Sequence, residues 1–352
     1  MLRLFPILLL ALLAACTRPQ TTGFSEPHPE ASIQSVFIAT QRTTGQSGQM
    51  FGEARSQELN FARTEISIPP GHELGRIERG SGNVDASQHF APLGLEPLQS
   101  STALSAAIRD TRVDPSEPLM VFVHGYNNTL EDAAFRVAQI QQDFETSNPA
   151  LLFSWPSAGD PLGYAYDRDS ILFARSDLSR LLGDLQDHGH DEILILAHSM
   201  GGYLVMEALR QLSLSGEKHR LGAVEGVILM SPDIDPDVFR RQAEEIGTLP
   251  RPFVVMTSQK DRVLNLSGFM VGRKERLGRI RSAEDLDGLG VTVLDFSLFD
   301  AGESFGHMIP VSSPEAISFL RRLARGLNVA TDDFSRYVLL GEKKRSGFPV
   351  AN

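Results

Sequence analysis

From Pro118 onward the sequence alternates short, continuously apolar runs with segments of helical periodicity, and this alternation constrains the fold more than any other feature. Continuous apolar runs are typical of strands buried on both faces, and strands that alternate with helices form parallel sheets covered by helices. The pattern therefore predicts an α/β fold with a mostly parallel central sheet and helices on both faces. The predicted strands are residues 119–123, 150–155, 193–196, 224–230, 253–256 and 291–294.

The segments between these strands carry their own helix signals. Thr129 and Asp132 form a capping-box pattern, and apolar residues then recur at helical spacing as far as Phe144. Further helices are predicted at residues 169–187, 200–212, 238–245 and 314–326. Upstream, residues 35–40 and 64–68 are predicted strands, whereas residues 75–110 are predicted to be loop with short elements.

The sharpest local signal is a small-X-Ser-X-small sequence, AHSMG, which places Ser199 between a buried strand and a helix. A nucleophile elbow requires this context, because small neighbours let the strand and the helix approach while the turn exposes the serine. Ala197 stands where the pattern usually has glycine. The sequence predicts that Ser199 is a nucleophile; the alternative is a helix-capping serine without reactivity.

A serine nucleophile needs a base and an orienting carboxylate, and in this type of fold they follow it in the order acid, then histidine. Of the nine histidines only His219 and His307 follow Ser199, and His219 lies between two cations at a helix end. His307 is therefore the predicted base. The predicted acid is Asp261, in the loop after the penultimate strand, with Asp233 as the alternative.

Asp233 and Asp235 also have a simpler interpretation, as N-caps of the next helix. Acyl transfer further needs backbone N–H donors for the developing oxyanion. Met200 is one predicted donor, and Tyr126 is the other, with Asn127 as a fallback. His124 and His198 are expected to support these turns through hydrogen bonds.

The only cysteine, Cys16, follows an apolar run at residues 4–15 that has Arg3 as its one charge. This run is too short to cross a bilayer, which takes about 20 apolar residues, and it predicts a secretory signal at residues 1–15. The ending Leu-Ala-Ala-Cys resembles the bacterial lipobox, which implies a lipid on Cys16, an envelope location on the periplasmic side and, from Thr17, the outer membrane. The alternative is an ordinary secreted protein with an incidental cysteine.

The domain prediction continues with an acylated cysteine and flexible tether at residues 16–31, a catalytic domain at residues 32–330 and a tail at residues 331–352. The chain has 33 Lys and Arg against 44 Asp and Glu, a net charge of −11 that argues against nucleic acid as a partner. Anionic lipid headgroups should also repel an acidic domain, so the lipid anchor is expected to provide the membrane attachment. One cysteine excludes an internal disulfide and a Cys₄ or Cys₂His₂ zinc site, and no other metal or cofactor motif is found.

Several segments together resemble the bacterial α/β-hydrolase family catalogued as domain of unknown function 900. They are residues 40–42 (TQR), 121–127 (VFVHGYN), 153–157 (FSWPS), 197–201 (AHSMG), 231–235 (SPDID), Ser267 and 276–278 (RLG). The resemblance extends over about residues 33–325 and implies an α/β-hydrolase fold with a serine hydrolase site at the positions above. It implies no substrate. Ser231 stands where the family motif would have alanine.

Substrate clues are fewer. The short step from Ser231 to the next predicted helix leaves no room for a large cap domain, so an open site is expected. Aromatic residues after the second strand of this series suit an apolar acyl or aryl group, although packing beneath the loop is an equal alternative. The candidate pocket residues are His124, Asn127, Trp155, Tyr164, Tyr166 and Phe269.

These observations predict a lipid-anchored serine hydrolase that acts on small-molecule or lipid carboxylic esters through an acyl-enzyme on Ser199, with no cofactor. Two alternatives stay open. The same residues would serve an acyltransferase or an amidase, and a binding or assembly lipoprotein of the envelope could retain the fold without turnover.

Overall fold

The computed structural model describes residues 23–44, 51–80, 84–272, 274–300 and 304–324. Within these residues nine strands form one sheet. They are β1 (Ser32–Thr44), β2 (Phe51–Ile68), β3 (Ala91–Leu98), β4 (Leu119–Val123), β5 (Ala150–Ser154), β6 (Ile193–His198), β7 (Val224–Met230), β8 (Phe253–Thr257) and β9 (Thr292–Asp295). Their order across the sheet is β3-β2-β1-β5-β4-β6-β7-β8-β9.

Helices fill most of the connections between these strands. They are α1 (Ser101–Thr111), α2 (Leu130–Phe144), α3 (Tyr164–Asp187), α4 (Met200–Leu214), α5 (Pro236–Ile246), α6 (Arg262–Met270), α7 (Ile309–Ser312) and α8 (Pro314–Ala324). The predicted capping box is present at the start of α2, where Thr129 and Asp132 bond to each other's backbone N–H groups. Asp235 caps α5, as its simpler interpretation predicted.

The sheet is mostly parallel. Strand β1 and strands β4 to β9 pair in parallel, whereas β2 and β3 add an antiparallel edge. Alternate residues of a strand face opposite sides, so Val121 joins the core beneath α1, α3, α4 and α5, while Phe122 joins the core beneath α2, α7 and α8. The predicted α/β-hydrolase architecture is therefore confirmed, with helices on both faces. No cap domain interrupts the step from β7 to α5.

Several regions differ from the sequence-based prediction. Strand β2 begins at Phe51 rather than at residue 64, and helix α6 was not predicted. Residues 75–110 contain β3 and α1 rather than only short elements. Helix α3 begins at Tyr164 instead of residue 169, so Tyr164 and Tyr166 belong to the first turn of a helix and not to a loop. The reason is that Tyr164 and Asp167 turn polar groups inward, so this turn lacks the apolar period by which helices are recognised.

His72 fastens the loop between β2 and β3 to helix α2. Its ring donates from Nδ1 to Glu78 at 2.9 Å and from Nε2 to Asp143 at 2.8 Å. Burial disfavours the charged ring, but the hydrogen bonds to Asp143 and Glu78 outweigh burial and raise the pKa of His72 to about 9. The imidazolium is therefore the form that holds this loop at neutral pH.

This ion cluster predicts a pH-dependent stability. A raised folded-state pKa stabilises the fold fully below the unfolded value near 6.5, and the contribution is lost as pH rises through about 9. We expect the free energy of unfolding of the wild type to fall by about 1–2 kcal/mol relative to His72→Gln over that interval. Urea denaturation at a series of pH values measures the difference. A constant gap between the two proteins would contradict the assignment.

Candidate active site

Ser199 lies at the turn between β6 and α4 with a backbone φ of 53° and ψ of −122°. Few residues other than glycine adopt a positive φ, and a strained conformation of this kind is held only when its surroundings enforce it. Here the Ser199 N–H donates to Met230 O at 3.0 Å, and Ser199 O accepts from Gly202 and Asp233. The turn thus has the geometry of a nucleophile elbow.

Two glycines allow the elbow to approach strand β4. A Cβ atom on Gly201 would lie 2.5 Å from Val123 O, and one on Gly125 would lie 2.9 Å from the Ser199 Cβ. Real Cβ atoms do not come this close to such neighbours, so a side chain at either position would push the strand end and the elbow apart. The small residues around Ser199 therefore serve close packing, as the motif requires.

Asp261 and His307 are in contact. The His307 Nδ1–H donates to Asp261 Oδ2 at 2.6 Å, and both side chains are buried. The second carboxylate oxygen, Oδ1, accepts from the Leu264 N–H at 2.8 Å and caps helix α6. With both oxygens engaged, Asp261 holds one tautomer and one orientation of the imidazole.

The loop that carries His307 turns through two left-handed residues, Phe305 (φ 55°) and Gly306 (φ 78°). Gly306 packs so closely on the residue before Asp261 that a Cβ would lie 2.7 Å from Lys260 O. His198 supports the loop from below, since its Nε2–H donates to His307 O at 3.2 Å. Burial, and then the neighbouring His307, lower the pKa of His198 well below its ordinary value, so this ring acts as a neutral donor.

The loop after β4 contains both residues predicted to supply the second oxyanion donor. The Asn127 N–H donates to Asp167 Oδ2 at 3.1 Å, so this N–H already has a partner. The Asn128 side chain holds the Tyr126 carbonyl at 2.8 Å. Tyr126 therefore stays the predicted second donor, and Met200 occupies the first position of α4 beside Ser199.

Asp167 is a residue that the sequence did not single out. Its buried carboxylate accepts from Asn127 N–H, from Ser157 Oγ–H at 2.6 Å and from Ala158 N–H at 2.7 Å. Burial raises the pKa of the Asp167 carboxyl, while the hydrogen bonds from Ser157 and Ala158 oppose that rise. One side chain thus joins the loop after β4 to the loop after β5.

Arg42 of strand β1 joins the same two loops from the opposite side. Its guanidinium donates to Asn128 O at 2.9 Å, to Ser157 O at 3.1 Å and to Ser154 Oγ at 3.1 Å. Burial lowers the pKa of Arg42 to about 10, which leaves it charged at neutral pH. Arg42 was noted in the sequence only as part of the TQR segment of the family resemblance, and Asp167 was not noted, because their contacts join residues that lie far apart in the chain.

His124 is buried beneath the loop and stacks on Trp155 with ring centroids 4.9 Å apart. Burial, and then the nearby Arg42 charge, lower the pKa of His124 to about 3, so the ring is neutral. Its Nδ1 lies 2.9 Å from Gly125 O, and the Ser154 hydroxyl lies 3.2 Å from its Nε2. Its Nε2 also lies 3.1 Å from Trp155 O, so the single N–H of a neutral ring donates either to Gly125 O or to Trp155 O. Only the first of these tautomers leaves Nε2 free to accept from Ser154.

Asp233, the alternative acid, belongs to a different cluster. Its carboxylate accepts from Ser267 Oγ–H at 3.0 Å, from Tyr164 O–H at 3.1 Å and from the Arg276 guanidinium. No hydrogen bond between Asp233 and His307 is found among the described residues. Asp233 thus helps to build the cavity wall, whereas Asp261 holds the imidazole.

Ser199 and His307 line one cavity of about 770 Å³. The candidate pocket residues His124, Asn127 and Tyr164 line it, as do Tyr126 and Asp233. Three other candidates do not. Trp155 is fully buried beneath the loop, Tyr166 lies under the Arg55 guanidinium at 4.3 Å, and Phe269 lines a neighbouring cavity. For Trp155 the alternative, packing beneath the loop, is therefore correct.

Cys16, the signal, residues 16–22 of the tether and the C-terminal tail lie outside the described residues. Within the described ranges no helix is long and apolar enough to cross a membrane. The same part of the chain contains no group of three or more His, Cys, Asp or Glu arranged to hold a metal ion.

A protein-family model described as alpha/beta hydrolase of unknown function (DUF900) matches residues 100–324. Among curated proteins, the chain is 39% identical over 75 residues to the uncharacterized protein alr1448 of Nostoc sp.. That match covers 20% of each protein, so the chain spans about a fifth of the relative's length.

Solved structures with a similar fold include an esterase/lipase from an uncultured bacterium, with a TM-score of 0.40, 14% identity, and coverage of 92% of this chain and 98% of that chain. A thermostable esterase from Pseudomonas putida matches with a TM-score of 0.40, 13% identity, and coverage of 92% and 88%. A CIB-like hydrolase from Thermoplasma acidophilum has a TM-score of 0.38, 12% identity, and coverage of 83% and 99%.

The contacts of Asp167 generate a prediction about loop order. In Asp167→Asn the new amide group faces N–H donors, so we expect a loss of about 1–3 kcal/mol in the free energy of unfolding and faster hydrogen exchange at Asn127 and Ala158. Hydrogen-exchange mass spectrometry and urea denaturation measure both effects. Asp169→Asn is the matched control, because Asp169 is an exposed residue of the same helix. Equal exchange in the two variants would contradict the assignment.

Proposed function

The chain belongs to the family described as alpha/beta hydrolase of unknown function (DUF900), and from this premise we propose that it is a lipid-anchored serine hydrolase that cleaves carboxylic esters. One observation carries the proposal. Ser199, on a strained turn, shares a cavity with His307, and the His307 Nδ1 lies 2.6 Å from Asp261. A nucleophile, a base and an orienting acid in this relationship suit acyl transfer.

In the proposed reaction, Ser199 Oγ attacks the ester carbonyl carbon while His307 Nε2 accepts the hydroxyl proton. Asp261 stabilises the imidazolium that forms, and the N–H groups of Met200 and Tyr126 bind the oxyanion. His307 then returns the proton to the leaving alcohol, which departs and leaves an acyl-enzyme on Ser199. Water, deprotonated by the same imidazole, attacks the acyl carbon, and the acid is released as the serine hydroxyl is restored.

The cavity wall favours an ester with an apolar acyl group. Leu266, Met270 and Phe305 line the cavity near its mouth, and the rings of Tyr126 and Tyr164 meet edge to face at 5.6 Å on another side. Apolar walls with a few convergent polar groups are typical of sites for small organic ligands. Charged residues also line the cavity, among them Arg79, Arg136 and Arg262.

The anchor completes the proposal. We expect Cys16 to carry the lipid and to hold the domain at the periplasmic side of the bacterial envelope, at the outer membrane. Two or three acyl chains on one residue give durable attachment, because each buried methylene contributes about 0.8 kcal/mol. Mass spectrometry of the N-terminal peptide from membrane fractions tests this part separately from catalysis.

The first catalytic prediction concerns Ser199. A fluorophosphonate probe should label the wild type and not Ser199→Ala, because the probe reacts only with an activated serine. The same substitution should lower the rate of hydrolysis of a short-chain p-nitrophenyl ester by about 10⁶-fold. Ser231→Ala is the matched control, since Ser231 is also buried with a positive φ (45°) at the end of the neighbouring strand. Failure of the wild type to label would refute the proposal.

The second catalytic prediction separates the two candidate acids. Asp261→Asn should lower kcat by about 10³–10⁴-fold, because His307 loses the carboxylate that sets its tautomer and stabilises its positive charge. Asp233→Asn should lower kcat far less, since its partners are Tyr164, Ser267 and Arg276. Steady-state hydrolysis of a soluble ester measures both. The reverse ranking would identify Asp233 as the acid.

A further inference from the structure

Helix α6 turns apolar side chains toward solvent. Leu266 and Phe269 are each 60% exposed and Met270 is 50% exposed, whereas the buried face of the helix carries Leu264 and two small residues. A helix on a globular domain normally does the opposite and buries its apolar stripe. Single exposed apolar residues are ordinary, but three neighbours on one short helix mark an interaction surface.

The loop that follows α6 folds back along the same helix. Gly272, with a φ of 92°, reverses the chain, and the Lys274 N–H donates to Gly268 O at 3.1 Å. The approach is so close that a Cβ on Gly268 would lie 2.5 Å from Lys274 O. The residues after Lys274 are therefore held beside the exposed apolar side chains rather than away from them.

This returning loop is rich in cations. Lys274, Arg279 and Arg281 line a cavity of about 410 Å³ together with Phe269, and Glu275 is the one acidic residue in its lining among the described residues. Within the described part of the chain, no carboxylate forms an ion pair with Lys274, Arg279 or Arg281. Arg276, in contrast, is already bound to Asp233.

We infer that Leu266, Phe269, Met270, Lys274 and Arg281 form a docking surface for an anionic lipid bilayer. Arg279 is not part of it, because its guanidinium donates to Gln259 O at 3.2 Å and its Nε is buried. Apolar side chains that enter the acyl boundary, flanked by Lys and Arg that meet phosphate headgroups, are the combination by which helices bind membrane interfaces. Long basic side chains suit this position because their stems can lie along apolar material while the charges stay in water. A bilayer therefore fits the surface better than an acidic protein.

The inference changes the expectation drawn from net charge. The net charge of −11 predicts repulsion from anionic headgroups. At physiological ionic strength, however, salt screens the interaction between exposed charges beyond roughly 8–10 Å. Within that distance a headgroup next to α6 senses Lys274 and Arg281 more strongly than the acidic residues on the rest of the surface. The docking surface is thus locally attractive on an acidic protein.

Docking would also orient the cavity. Leu266 and Met270 belong both to the docking surface and to the lining of the cavity that contains Ser199. A domain seated on α6 therefore has its cavity mouth at the lipid interface, where esters of lipids are presented. This consequence for the substrate rests on the proposed function, whereas the docking itself does not.

A site-specific fluorescence experiment tests the docking surface. In the full chain carrying Cys16→Ser, which removes both the proposed anchor and the native thiol, Leu266→Cys and Leu214→Cys are labelled with an environment-sensitive fluorophore. Leu214 is equally exposed and lies at the end of α4, so it is the matched control. Each protein is mixed with phosphatidylcholine vesicles that contain a headgroup-proximal spin-labelled lipid, with or without phosphatidylglycerol. We expect quenching at residue 266, more strongly with phosphatidylglycerol, and none at residue 214.

A charge variant supplies the second arm. In the same Cys16→Ser chain, Lys274→Gln/Arg281→Gln should weaken partition onto phosphatidylglycerol vesicles by roughly thirtyfold, because each basic residue at an anionic surface contributes about 1 kcal/mol. Arg180→Gln/Arg241→Gln, which removes the same charge from exposed positions on α3 and α5, should leave partition nearly unchanged. Equal losses in the two double variants would show a general charge effect and overturn the inference.

Catalysis is measured separately on the same proteins. Unlabelled Lys274→Gln/Arg281→Gln should hydrolyse a soluble short-chain ester at the wild-type rate. If the wild type hydrolyses the ester but residue 266 is not quenched, the docking surface is overturned and the proposed function stands. If residue 266 is quenched but the wild type does not hydrolyse the ester, the proposed function is overturned and the docking surface stands.

Discussion

The carboxylate of Asp261 makes two contacts on which much of the site depends. Oδ2 accepts from the His307 imidazole, and Oδ1 accepts from the first turn of α6. Hydrogen bonds to a buried charge are among the stronger ones in proteins, and loss of either partner would leave part of that charge uncompensated. The orientation of the imidazole and the start of the helix beside the cavity are therefore set by one side chain, so the two are mechanically linked.

Backbone strain is concentrated around the same cavity. Ser199, Asn127 and Phe305 each have a positive φ, and they lie at the elbow, in the loop after β4 and in the loop that carries His307. Such conformations cost of order 1–3 kcal/mol each and persist where packing enforces them. Gly201 lets the elbow pack on the end of β4, Asp167 and Arg42 hold the loop after β4, and the His307 loop packs through Gly306 on Lys260. The cavity is thus held open by contacts that lie mostly outside it.

The sequence was sufficient for the features that follow from local patterns. Continuous apolar runs located the parallel strands, and residues 119–123 form β4 as predicted. Chain order selected Asp261 and His307, which the structure brings together. The first turn of α3 was missed because Tyr164 and Asp167 point polar groups inward. The Arg42 contacts were missed because they join residues more than 80 positions apart. The cationic loop was missed because the net charge of a whole chain does not show where its basic residues lie.

Arg42 also bears on where the folding unit begins. The family model starts at residue 100, yet β1, which carries Arg42, is the strand that pairs with the outer edge of β5. A chain cut to the matched segment would expose an unpaired parallel strand edge and leave the buried carbonyls of Asn128 and Ser157 without their guanidinium donor. The segment that the family model matches is therefore shorter than the unit that packs together, which also includes β1.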